Sequence, residues 1–368
     1  MNIPQLAMVL LSLVLAYLAI KKKYEPLLLL PISFGMLIAN FPLAGLSAHA
    51  VGGLIYYLHT GIKMGIYPPL IFLCLGAMTD FSPLIASPKS AFIGLGGQLG
   101  IFVAMIGAVL FGRILAGFFP DFQAFTILEA IAIGIIGSSD GPTSIYTAER
   151  LAPDLLPTIA IAAYSYMALV PIIQPPIMRA LTTEKERVIV MPMPKKVPRV
   201  QKIIFPILIT ILTLLIVPAA GPLIAMLMLG NLIKESGVAE RISHSLQGDV
   251  LNLLTLLIGL SIGATATAER ILNLKTIIII VLGLIAFAFG TAGGVLIAKL
   301  LCKITGGKIN PLIGNAGVSA MPMAARVSQK VAQEYNPSNV VLMHAMGPIV
   351  ASTIGSALLA GVFISMFG

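Results

Sequence analysis

The sequence predicts an all-α, polytopic membrane protein, and three observations carry that prediction. Hydrophobic residues make up 58% of the 368 residues and charged residues only 10%, whereas a soluble domain carries roughly 25% charged residues. Apolar runs occur along the whole chain, and at about 20 residues for each span they allow about ten crossings. The positive charges are concentrated in the loops between these runs. We therefore expect no soluble domain that would hold an independent enzyme.

The candidate helices are apolar segments of unequal length, and some are too short for a complete crossing. Segments 66–79 and 221–234 have the length of a half-helix or of one arm of a re-entrant hairpin. Residues 3–20 are interpreted as a retained first span, because no basic residue precedes them and no small-residue cleavage site is evident. Residues 44–65 look interfacial rather than membrane-spanning. The other apolar segments are 26–41, 90–118, 122–149, 154–178, 203–218, 249–265, 276–302, 309–330 and 338–367.

The basic residues orient the chain. Residues 179–202 hold seven Lys/Arg and two Glu, and cytoplasmic loops of membrane proteins carry such an excess of basic residues. The same rule places Lys21, Lys22 and Lys23 in the cytoplasm and therefore the N-terminus outside. An even number of crossings must connect these two cytoplasmic sites, but five apolar candidates lie between them, so one is re-entrant or interfacial. The net charge of +9 thus indicates topology and contact with a lipid bilayer rather than nucleic-acid binding.

The chain divides into two membrane halves that repeat weakly. A basic cytoplasmic linker at 181–204 separates the first half, 1–180, from the second half, 205–368. Their similarity is limited to short matches that occur in the same order. Ordered repeats with Gly- and Pro-interrupted segments are typical of transporters whose binding site lies between two inverted halves. We therefore expect an inverted structural repeat with broken helices and re-entrant hairpins.

Two alignments carry this repeat. An offset of 177 positions aligns Gly137 with Gly314, each preceded by Ile. A second alignment pairs Gly76 with Gly263, each followed by Ala. The first pair lies in the two most polar interruptions of the apolar segments, so these interruptions are expected to be equivalent.

The expected ion-site hairpin is residues 131–150, where an apolar helical run is interrupted by GSSDGPT. Asp140 lies in this break at expected membrane depth, where a carboxylate is costly and usually functional. A broken helix also frees backbone carbonyls that can bind a cation inside a protein cavity. An exposed Asp140 in a loop outside the membrane is the alternative. Three hydroxyl side chains add oxygen ligands that suit Na⁺, namely Ser138, Ser139 and Thr143. These residues alone would also suit H⁺ or Li⁺.

A second polar interruption, the site segment at 309–330, occupies the matching place in the second half. Asn315 and Ser319 are four positions apart and share a face if this segment is an α-helix, so both are expected among the Na⁺ ligands. Arg326 lies seven positions beyond Ser319 on roughly the same face, where its guanidinium could bind a carboxylate in bidentate fashion. A helix-end Arg326 that reaches to the membrane interface is the alternative.

Residues 161–176 form a third polar element within an apolar helix. A buried tyrosine needs a hydrogen-bond partner and can donate a proton, so Tyr164 and Tyr166 are candidates for proton transfer, with a structural role as the alternative. His344, in a similar place in the second half, is expected to be packed and satisfied. No disulfide framework or metal-ligand cluster is evident for the two cysteines.

Five motifs together resemble the β subunit of the Na⁺-pumping biotin-dependent decarboxylases, which include the oxaloacetate, methylmalonyl-CoA, glutaconyl-CoA and malonate decarboxylases. The resemblance covers nearly the whole chain, and its motifs are long and specific. Some members carry Asn where this chain has Ile349, whose side chain cannot bind an ion. The motifs are GSSDGPT at 137–143, AYSYMALVPIIQPP at 163–176, LTTEKER at 181–187, INPLIGNAGVSAMPMAARVSQ at 309–329 and LMHAMGP at 342–348.

The resemblance implies a reaction and roles for individual residues. A cytoplasmic carboxyltransferase α subunit would move CO₂ from the substrate to biotin on a biotin carrier protein. The carboxybiotin would lose CO₂ in the β subunit, which consumes a proton and drives Na⁺ outward. The family's essential intramembrane aspartate corresponds to Asp140, and its candidate proton-donating tyrosine to Tyr166. Its polar residues of the second half, expected to act on carboxybiotin, correspond to Asn310, Gly314, Ser319 and Arg326.

The resemblance also implies partners and a location. The protein would lie in the inner membrane of a prokaryote, as a multi-pass subunit beside the α subunit, the biotin carrier and a small membrane γ/δ subunit, with homo-oligomer formation left open. The biotin would belong to the carrier, because no Met-Lys attachment motif occurs in this chain. The helices would move as in elevator-type transporters, by fold-level analogy.

The residues leave two alternative functions to consider. A Na⁺- or H⁺-coupled secondary transporter without decarboxylase activity would have a similar fold and would transport alone, without any biotin protein. A passive membrane anchor is disfavoured, because an anchor has no use for Asp140, Asn315 and Arg326 at membrane depth.

Overall fold

A computed structural model of the chain describes residues 2–23, 26–41, 52–120 and 122–368. Within these ranges every regular element is helical, so the predicted all-α class is confirmed. The first eight residues of the expected interfacial segment, 44–51, lie outside the described ranges. Its described remainder forms a helix that contains Tyr56, Tyr57 and a buried His59, and its interfacial placement stays a prediction.

The helices of the first half are mostly short and are interrupted at Gly, Pro and Ser. Two 3₁₀ segments, Ile136–Ser138 and Pro153–Leu155, lie between them. The α-helices described in this half are α1 Ile3–Lys21, α2 Pro26–Ala39, α3 Leu54–Lys63, α4 Tyr67–Met78, α5 Ser82–Ala86, α6 Ser90–Gly97, α7 Leu99–Phe118, α8 Ile127–Ile135, α9 Gly141–Leu151 and α10 Leu156–Leu181.

The second half contains the longest helix and a longer 3₁₀ segment, Pro311–Gly317. A short 3₁₀ segment, Pro218–Ala220, and a π-helical turn, Leu246–Val250, join further helices. The α-helices described here, beginning in the linker, are α11 Glu184–Arg187, α12 Arg199–Ile216, α13 Gly221–Ser236, α14 Glu240–Ser245, α15 Leu251–Thr265, α16 Ala268–Ile271, α17 Leu274–Ile304, α18 Met323–Tyr335 and α19 Leu342–Phe367.

Within the described ranges, six helices are long and apolar enough to cross a membrane, or up to eight if each of two bent pairs counts as one span. One pair is α3 with α4, bent by 70°, and the other is the two parts of α10, bent by 61°. The shorter apolar helices Pro26–Ala39 and Ile127–Ser138 fall outside that count. The expected multi-pass architecture is therefore confirmed in this coarser form. About ten crossings stays a prediction that depends on the shorter helices.

Proline explains the bend in α10. Pro171 lies inside the helix and has no N–H for the carbonyl four residues earlier, at position 167, which its ring also displaces. The bend falls between Tyr166 and Leu169, one turn before the proline. The two parts of α10 therefore face different neighbours.

Close backbone contacts at glycines join the halves in two matching pairs of helices. In the α4–α13 pair, a Cβ at Gly76 would lie 1.9 Å from the Leu227 carbonyl oxygen of α13. In the α2–α15 pair, a Cβ at Gly263 would lie 2.1 Å from the Ile32 carbonyl oxygen of α2. Small residues allow helix backbones in membranes to approach this closely. The two glycines that the sequence alignment paired, Gly76 and Gly263, thus make equivalent contacts.

The two polar interruptions also make equivalent contacts. A Cβ at Gly137 would lie 2.4 Å from the Gly100 carbonyl oxygen on α7, and a Cβ at Gly314 would lie 2.5 Å from the Gly294 carbonyl oxygen on α17. The 3₁₀ segments Ile136–Ser138 and Pro311–Gly317 therefore each pack a glycine against a glycine of a long helix, α7 or α17. The contact of Gly137 with α7 in the first half thus corresponds to the contact of Gly314 with α17 in the second half. The α4–α13 and α2–α15 pairs correspond to each other in the same way.

The segment α8–α9 begins and ends at the same end of α17. Before α8 turns into its 3₁₀ segment, Glu129 forms an ion pair with Lys275 at 2.9 Å. After α9, Asp154 pairs with Arg270 at 3.0 Å. Because Arg270 and Lys275 flank the start of α17, this segment is a hairpin whose tip is the break at 136–140.

The segment 311–335 forms a second hairpin at the other end of α17. Glu334, at the end of α18, pairs with Arg179 of α10 at 2.6 Å, and Lys299 of α17 donates to the Leu181 carbonyl at 2.9 Å. A helix of 31 residues is about 45 Å long, so the hairpins approach from opposite ends. Their tips meet where the Ser319 N–H donates to the Ser138 carbonyl at 2.9 Å.

Candidate functional site

The break between α8 and α9 places a carboxylate at the tip of the first hairpin. The helix tightens into the 3₁₀ turn, and Ser139 takes a left-handed conformation with φ 56°. Asp140 then caps α9, where its Oδ1 accepts from the Thr143 N–H at 3.3 Å. Pro142 lies in the first turn of α9, where a missing N–H costs nothing. The predicted interruption of the helix is therefore confirmed, but the break covers 136–140, and residues 141–143 already belong to α9.

The Asp140 carboxylate is buried, with 3% of the residue exposed. Its Oδ2 accepts from the Ser356 hydroxyl of α19 at 2.7 Å. None of the described Lys, Arg or His side chains forms an ion pair with it. A buried charge without a counter-charge is strongly unfavourable. The carboxylate therefore requires a cation or a proton, and the exposed-loop alternative for Asp140 is wrong.

Hydroxyl oxygens with unused bonding capacity surround this carboxylate. In the described part of the chain, the buried Ser139 Oγ and Thr143 Oγ1 have no hydrogen-bond partner. Ser138 donates its hydroxyl proton to the Ile135 carbonyl at 2.8 Å, which leaves the oxygen lone pairs available. Buried polar atoms without partners point to a bound ion or water, and hydroxyl and carboxylate oxygens are ligands for hard cations.

A cavity of about 190 Å³ opens beside Asp140, and both halves line it. Ser319, at the tip of the second hairpin, and Thr353 of α19 contribute hydroxyl groups. Tyr164 of α10, whose ring lies against Gly141, forms the wall next to Asp140, and Asn252 of α15 adds an amide. The cavity therefore combines the two polar interruptions that the sequence singled out, Asp140 and Ser319.

Ser319 is held by bonds to both halves. Its N–H bonds the Ser138 carbonyl, and its hydroxyl lies 3.2 Å from the Ser352 hydroxyl of α19. Gln98, between α6 and α7, donates to the same Ser352 hydroxyl at 2.9 Å. This network positions the second hairpin tip next to the cavity.

Asn315 does not reach the cavity, and the helical spacing used to predict its orientation is wrong. Residues 311–317 are 3₁₀ and residues 318–320 are not helical, so Asn315 and Ser319 do not share an α-helical face. The Asn315 amide donates to Gln174 Oε1 at 2.7 Å and to the Ala324 carbonyl at 2.9 Å, while Ser328 donates to its Oδ1. These bonds tie α10 to both arms of the second hairpin.

Arg326 and Asn310 also lie away from Asp140. Arg326 is exposed on α18 and lines an open groove of about 490 Å³ with Gln329 and Lys330. The spacing argument that placed Arg326 on the Ser319 face fails for the same reason, because the helix begins only at Met323. The buried Asn310 amide donates to carbonyls of the linker.

The two tyrosines of α10 have different surroundings. Tyr166 is buried, its hydroxyl donates to the Ile280 carbonyl of α17, and its ring packs against Gly283. Tyr164 instead lines the Asp140 cavity, with its ring over Gly141. In this conformation Tyr164 is therefore the tyrosine next to the carboxylate.

Ile349 has an apolar role, as expected from its side chain. It is fully buried in the hydrophobic cluster to which α17, α18 and the 3₁₀ segment Pro311–Gly317 contribute. Its backbone carbonyl accepts from the Thr353 hydroxyl at 3.0 Å, which orients a hydroxyl of the cavity wall.

Three residues of the cavity region were not identified from the sequence: Ser356, Thr353 and Gln98. Ser352 and Ser356 are four positions apart in the apolar helix α19, and this spacing places both on one face. This pair of serines could have been used to predict that one face of α19 lies against Asp140. Gln98 gave no comparable signal, because it lies singly among glycines.

Comparison with known proteins finds one family over almost the whole chain. Residues 4–367 match the family described as the Na⁺-transporting oxaloacetate decarboxylase beta subunit. The methylmalonyl-CoA decarboxylase subunit beta of Propionigenium modestum is 51% identical, covering 100% of this chain and 96% of the relative. The glutaconyl-CoA decarboxylase subunit beta of Acidaminococcus fermentans is 52% identical, covering 98% and 92%. The oxaloacetate decarboxylase beta chain 2 of Salmonella typhi is 46% identical, covering 98% and 94%.

Proposed function

Because this chain belongs to the family of β subunits of Na⁺-pumping biotin-dependent decarboxylases, we propose that it decarboxylates carboxybiotin and uses that step to move Na⁺ outward through the cavity at Asp140. The observation that carries the ion site is the buried Asp140 carboxylate, which has no basic partner among the described residues. The uncommitted oxygens of Ser139 and Thr143 beside it suit Na⁺.

The chemistry requires one proton for each carboxybiotin. The bond between the ureido nitrogen and the carboxylate carbon breaks, CO₂ leaves, and the electron pair stays on nitrogen, which then takes a proton. Asp140 can hold either Na⁺ or that proton, because a protonated carboxyl is neutral and no longer attracts the cation. Release of Na⁺ to the outside, followed by protonation of Asp140 and delivery of the proton to biotin, would couple decarboxylation to transport.

Two tyrosines are candidates to pass the proton. Tyr166 is proposed from the family resemblance, and its hydroxyl must first leave the Ile280 carbonyl to which it donates. Tyr164 lines the cavity that contains Asp140, so it can relay a proton without a large rearrangement. Arg326, exposed on α18, is proposed to attract the anionic carboxybiotin from the cytoplasmic side.

The name of the subunit in its relatives implies a larger complex. We propose that the complex contains a carboxyltransferase α subunit, a biotin carrier protein and a small membrane γ/δ subunit in a prokaryotic inner membrane. The α subunit would select the acyl substrate. The β subunit would receive only carboxybiotin, whichever acid the complex decarboxylates.

An inverted repeat of 1–180 and 205–368 is proposed for the architecture. Support comes from the matching contacts of the halves, in which Gly76 and Gly263 approach facing helices and Gly137 and Gly314 pack against long helices. The hairpins at 131–150 and 309–330 would then be re-entrant from opposite sides. Movement of one group of helices against the other would give the Asp140 cavity alternating access.

The test uses the full-length protein in liposomes, with chemically prepared carboxybiotin and ²²Na⁺. Wild type should release biotin only in the presence of Na⁺ and should move ²²Na⁺. Asp140→Asn keeps an N-cap residue but removes the charge, so both activities should fall at least about 100-fold, the order expected for a lost buried charge contact. Asp154→Asn, at an exposed ion pair, is the matched control and should retain both.

Two results would contradict the proposal. If ²²Na⁺ exchanges freely while carboxybiotin stays intact, even after addition of the partner subunits, the protein is a secondary transporter. If Asp140→Asn behaves like Asp154→Asn, the ion site lies elsewhere.

A further inference from the structure

A second cavity, of about 290 Å³, lies at the cytoplasmic ends of the helices and does not include Asp140. One wall is the linker segment 189–198, which contains no helix or strand and is here called the strap. The opposite wall comes from α5, α6 and α19, and from the turn that precedes the 3₁₀ segment Pro311–Gly317. We call this space the strap cavity. Its volume is near the lower limit of about 300 Å³ for small-molecule sites.

The strap cavity is lined by cationic and not by acidic side chains. Lys195 of the strap and Lys308 of the turn contribute positive charge from opposite walls, and none of the lining residues is Asp or Glu. His344 of α19 lines the same cavity and forms a hydrogen bond with the backbone of Pro192. This arrangement suits a ligand that carries one negative charge.

His344 also has an unused polar atom in this cavity. Its Nε2 is buried and has no hydrogen-bond partner in the described part of the chain. Because the ring does bond the Pro192 backbone, the expectation that His344 is packed and satisfied is met only in part. A neutral imidazole nitrogen donates or accepts one hydrogen bond. A buried atom of this kind is costly unless a ligand or water satisfies it. The cavity therefore presents one hydrogen-bonding position beside its two positive charges.

Apolar side chains form much of the remaining lining, beside the serines Ser87 and Ser90. Met191 of the strap, Ile93 of α6 and Ile313 of the 3₁₀ segment Pro311–Gly317 line the cavity, whereas Met193 is 77% exposed. Met191 also packs against the hydrophobic cluster of the second half. Flexible thioether side chains adapt to irregular ring shapes. The cavity thus combines an apolar surface for a ring system with two charges for a carboxylate.

We propose that the strap cavity is where the bicyclic head of carboxybiotin docks before it reacts, with the ring carboxylate between Lys195 and Lys308 and a ureido group hydrogen-bonded to His344 Nε2. This inference rests on the proposed function and adds the residues that receive the substrate. The docking step is non-covalent, so CO₂ loss and proton transfer remain as described above.

The strap is held in place by a double amide contact. Asn310 Nδ2 donates to the carbonyls of Arg187 and Ile189 at 3.0 and 2.9 Å. Asn339 Nδ2 donates to the same two carbonyls at 3.4 and 3.0 Å. Both amides are therefore positioning groups for the strap. Asn310, which the family resemblance assigns to carboxybiotin, would act on the ligand through Lys195 rather than by touching it.

The test measures decarboxylation kinetics of the full-length protein in liposomes with N-carboxylated biotin amide, in which the ring carboxylate is the sole negative charge. The double variant Lys195→Gln/Lys308→Gln should raise KM about tenfold, the effect of losing charge-assisted bonds to a partly exposed carboxylate. Its kcat and half-saturating Na⁺ concentration should stay within about twofold of wild type. The control Lys196→Gln/Lys303→Gln removes equal charge from exposed neighbours outside the cavity and should leave KM unchanged.

A second arm tests the strap. Asn339→Ala should raise KM without lowering kcat and should speed tryptic cleavage at the strap lysines, whereas Asn336→Ala, on an exposed turn, should do neither. Equal KM values in the two double-lysine variants would overturn the docking site while leaving the pump intact. A wild-type protein that never decarboxylates carboxybiotin would instead overturn the proposed function, and the docking assignment with it.

Discussion

Replacement of Ser356 by alanine is the sharpest test of how the ion site holds its carboxylate. The Ser356 hydroxyl makes two bonds, one to Asp140 Oδ2 at 2.7 Å and one to the Thr353 carbonyl at 3.0 Å. One hydroxyl carries a single proton, so the short contact to the carboxylate is the stronger bond. Ser356→Ala removes this donor without changing the charge of the site.

The magnitude follows from burial. Ser356 is fully buried and Asp140 is 3% exposed, so water does not replace the lost donor. A hydrogen bond to a charged group contributes about 1.5–3 kcal/mol, which corresponds to a factor of about 10–100 in a binding constant. We expect the half-saturating Na⁺ concentration to rise by at least about tenfold. The rate at saturating Na⁺ should change much less, because Asp140 is retained.

The assay is Na⁺-dependent decarboxylation in liposomes, measured over a wide range of Na⁺ concentration. Ser365→Ala is the matched control, because Ser365 lies in the same helix and donates to a carbonyl three residues earlier at 2.8 Å but is exposed and far from the cavity. Wild-type Na⁺ dependence in Ser356→Ala would refute the reasoning, since it would mean that the carboxylate does not rely on this donor when Na⁺ binds.

Two further predictions concern stability. Gly137→Ala should destabilise the protein by about 1–3 kcal/mol, as overpacking does, because the added Cβ would lie 2.4 Å from backbone atoms of α7; Gly117→Ala, with nothing within 4 Å, should be neutral or slightly stabilising in thermal unfolding. Partial burial raises the pKa of Glu186, but hydrogen bonds from Thr183 and the positive charge of Lys299, 3.5 Å away, together hold the pKa below its ordinary value. Glu186 therefore adds stability above pH about 4.3 that is lost as pH falls through its lower folded pKa. Glu186→Gln should flatten the acid side of the stability curve by at most about 1 kcal/mol.

The break at Asp140 was predictable because its causes are local. Gly137, Pro142 and three hydroxyl residues within seven positions cannot continue an apolar α-helix without interruption, and the structure has its 3₁₀ turn and left-handed Ser139 there. The alignment of Gly76 with Gly263 also has a structural counterpart, since both glycines make close contacts with the backbone of a facing helix, while the repeat itself stays a prediction. Features that depend on a few adjacent residues, or on glycines at helix crossings, therefore survive the step from sequence to structure.

The partners of these residues were not predictable in the same way. Ser356 is 216 positions from Asp140, and no local pattern specifies that contact. The orientation of Asn315 was predicted wrongly because an α-helical period was applied to a segment that is 3₁₀ and then irregular. The sequence does not tell whether an amide such as Asn310 binds a ligand or holds a backbone segment in place, because the side chain is polar and buried in both roles.

The position of the Asp140 cavity bears on how a pump of this kind would work. Its walls come from two groups of helices: α2, α4 and α15 on one side, and the two hairpin tips with α10 and α19 on the other. Within the first group, Gly263 brings α15 into backbone contact with α2, and within the second, Gly137 and Gly314 bring the hairpins into backbone contact with α7 and α17. Tyr164 of the second group and Leu251 of the first both line the cavity. The two groups also share a buried apolar cluster that includes Ile71 of α4 and Ile159 of α10. Displacement of one group against the other would therefore have to separate these apolar contacts, and it would change the side from which Asp140 is reached.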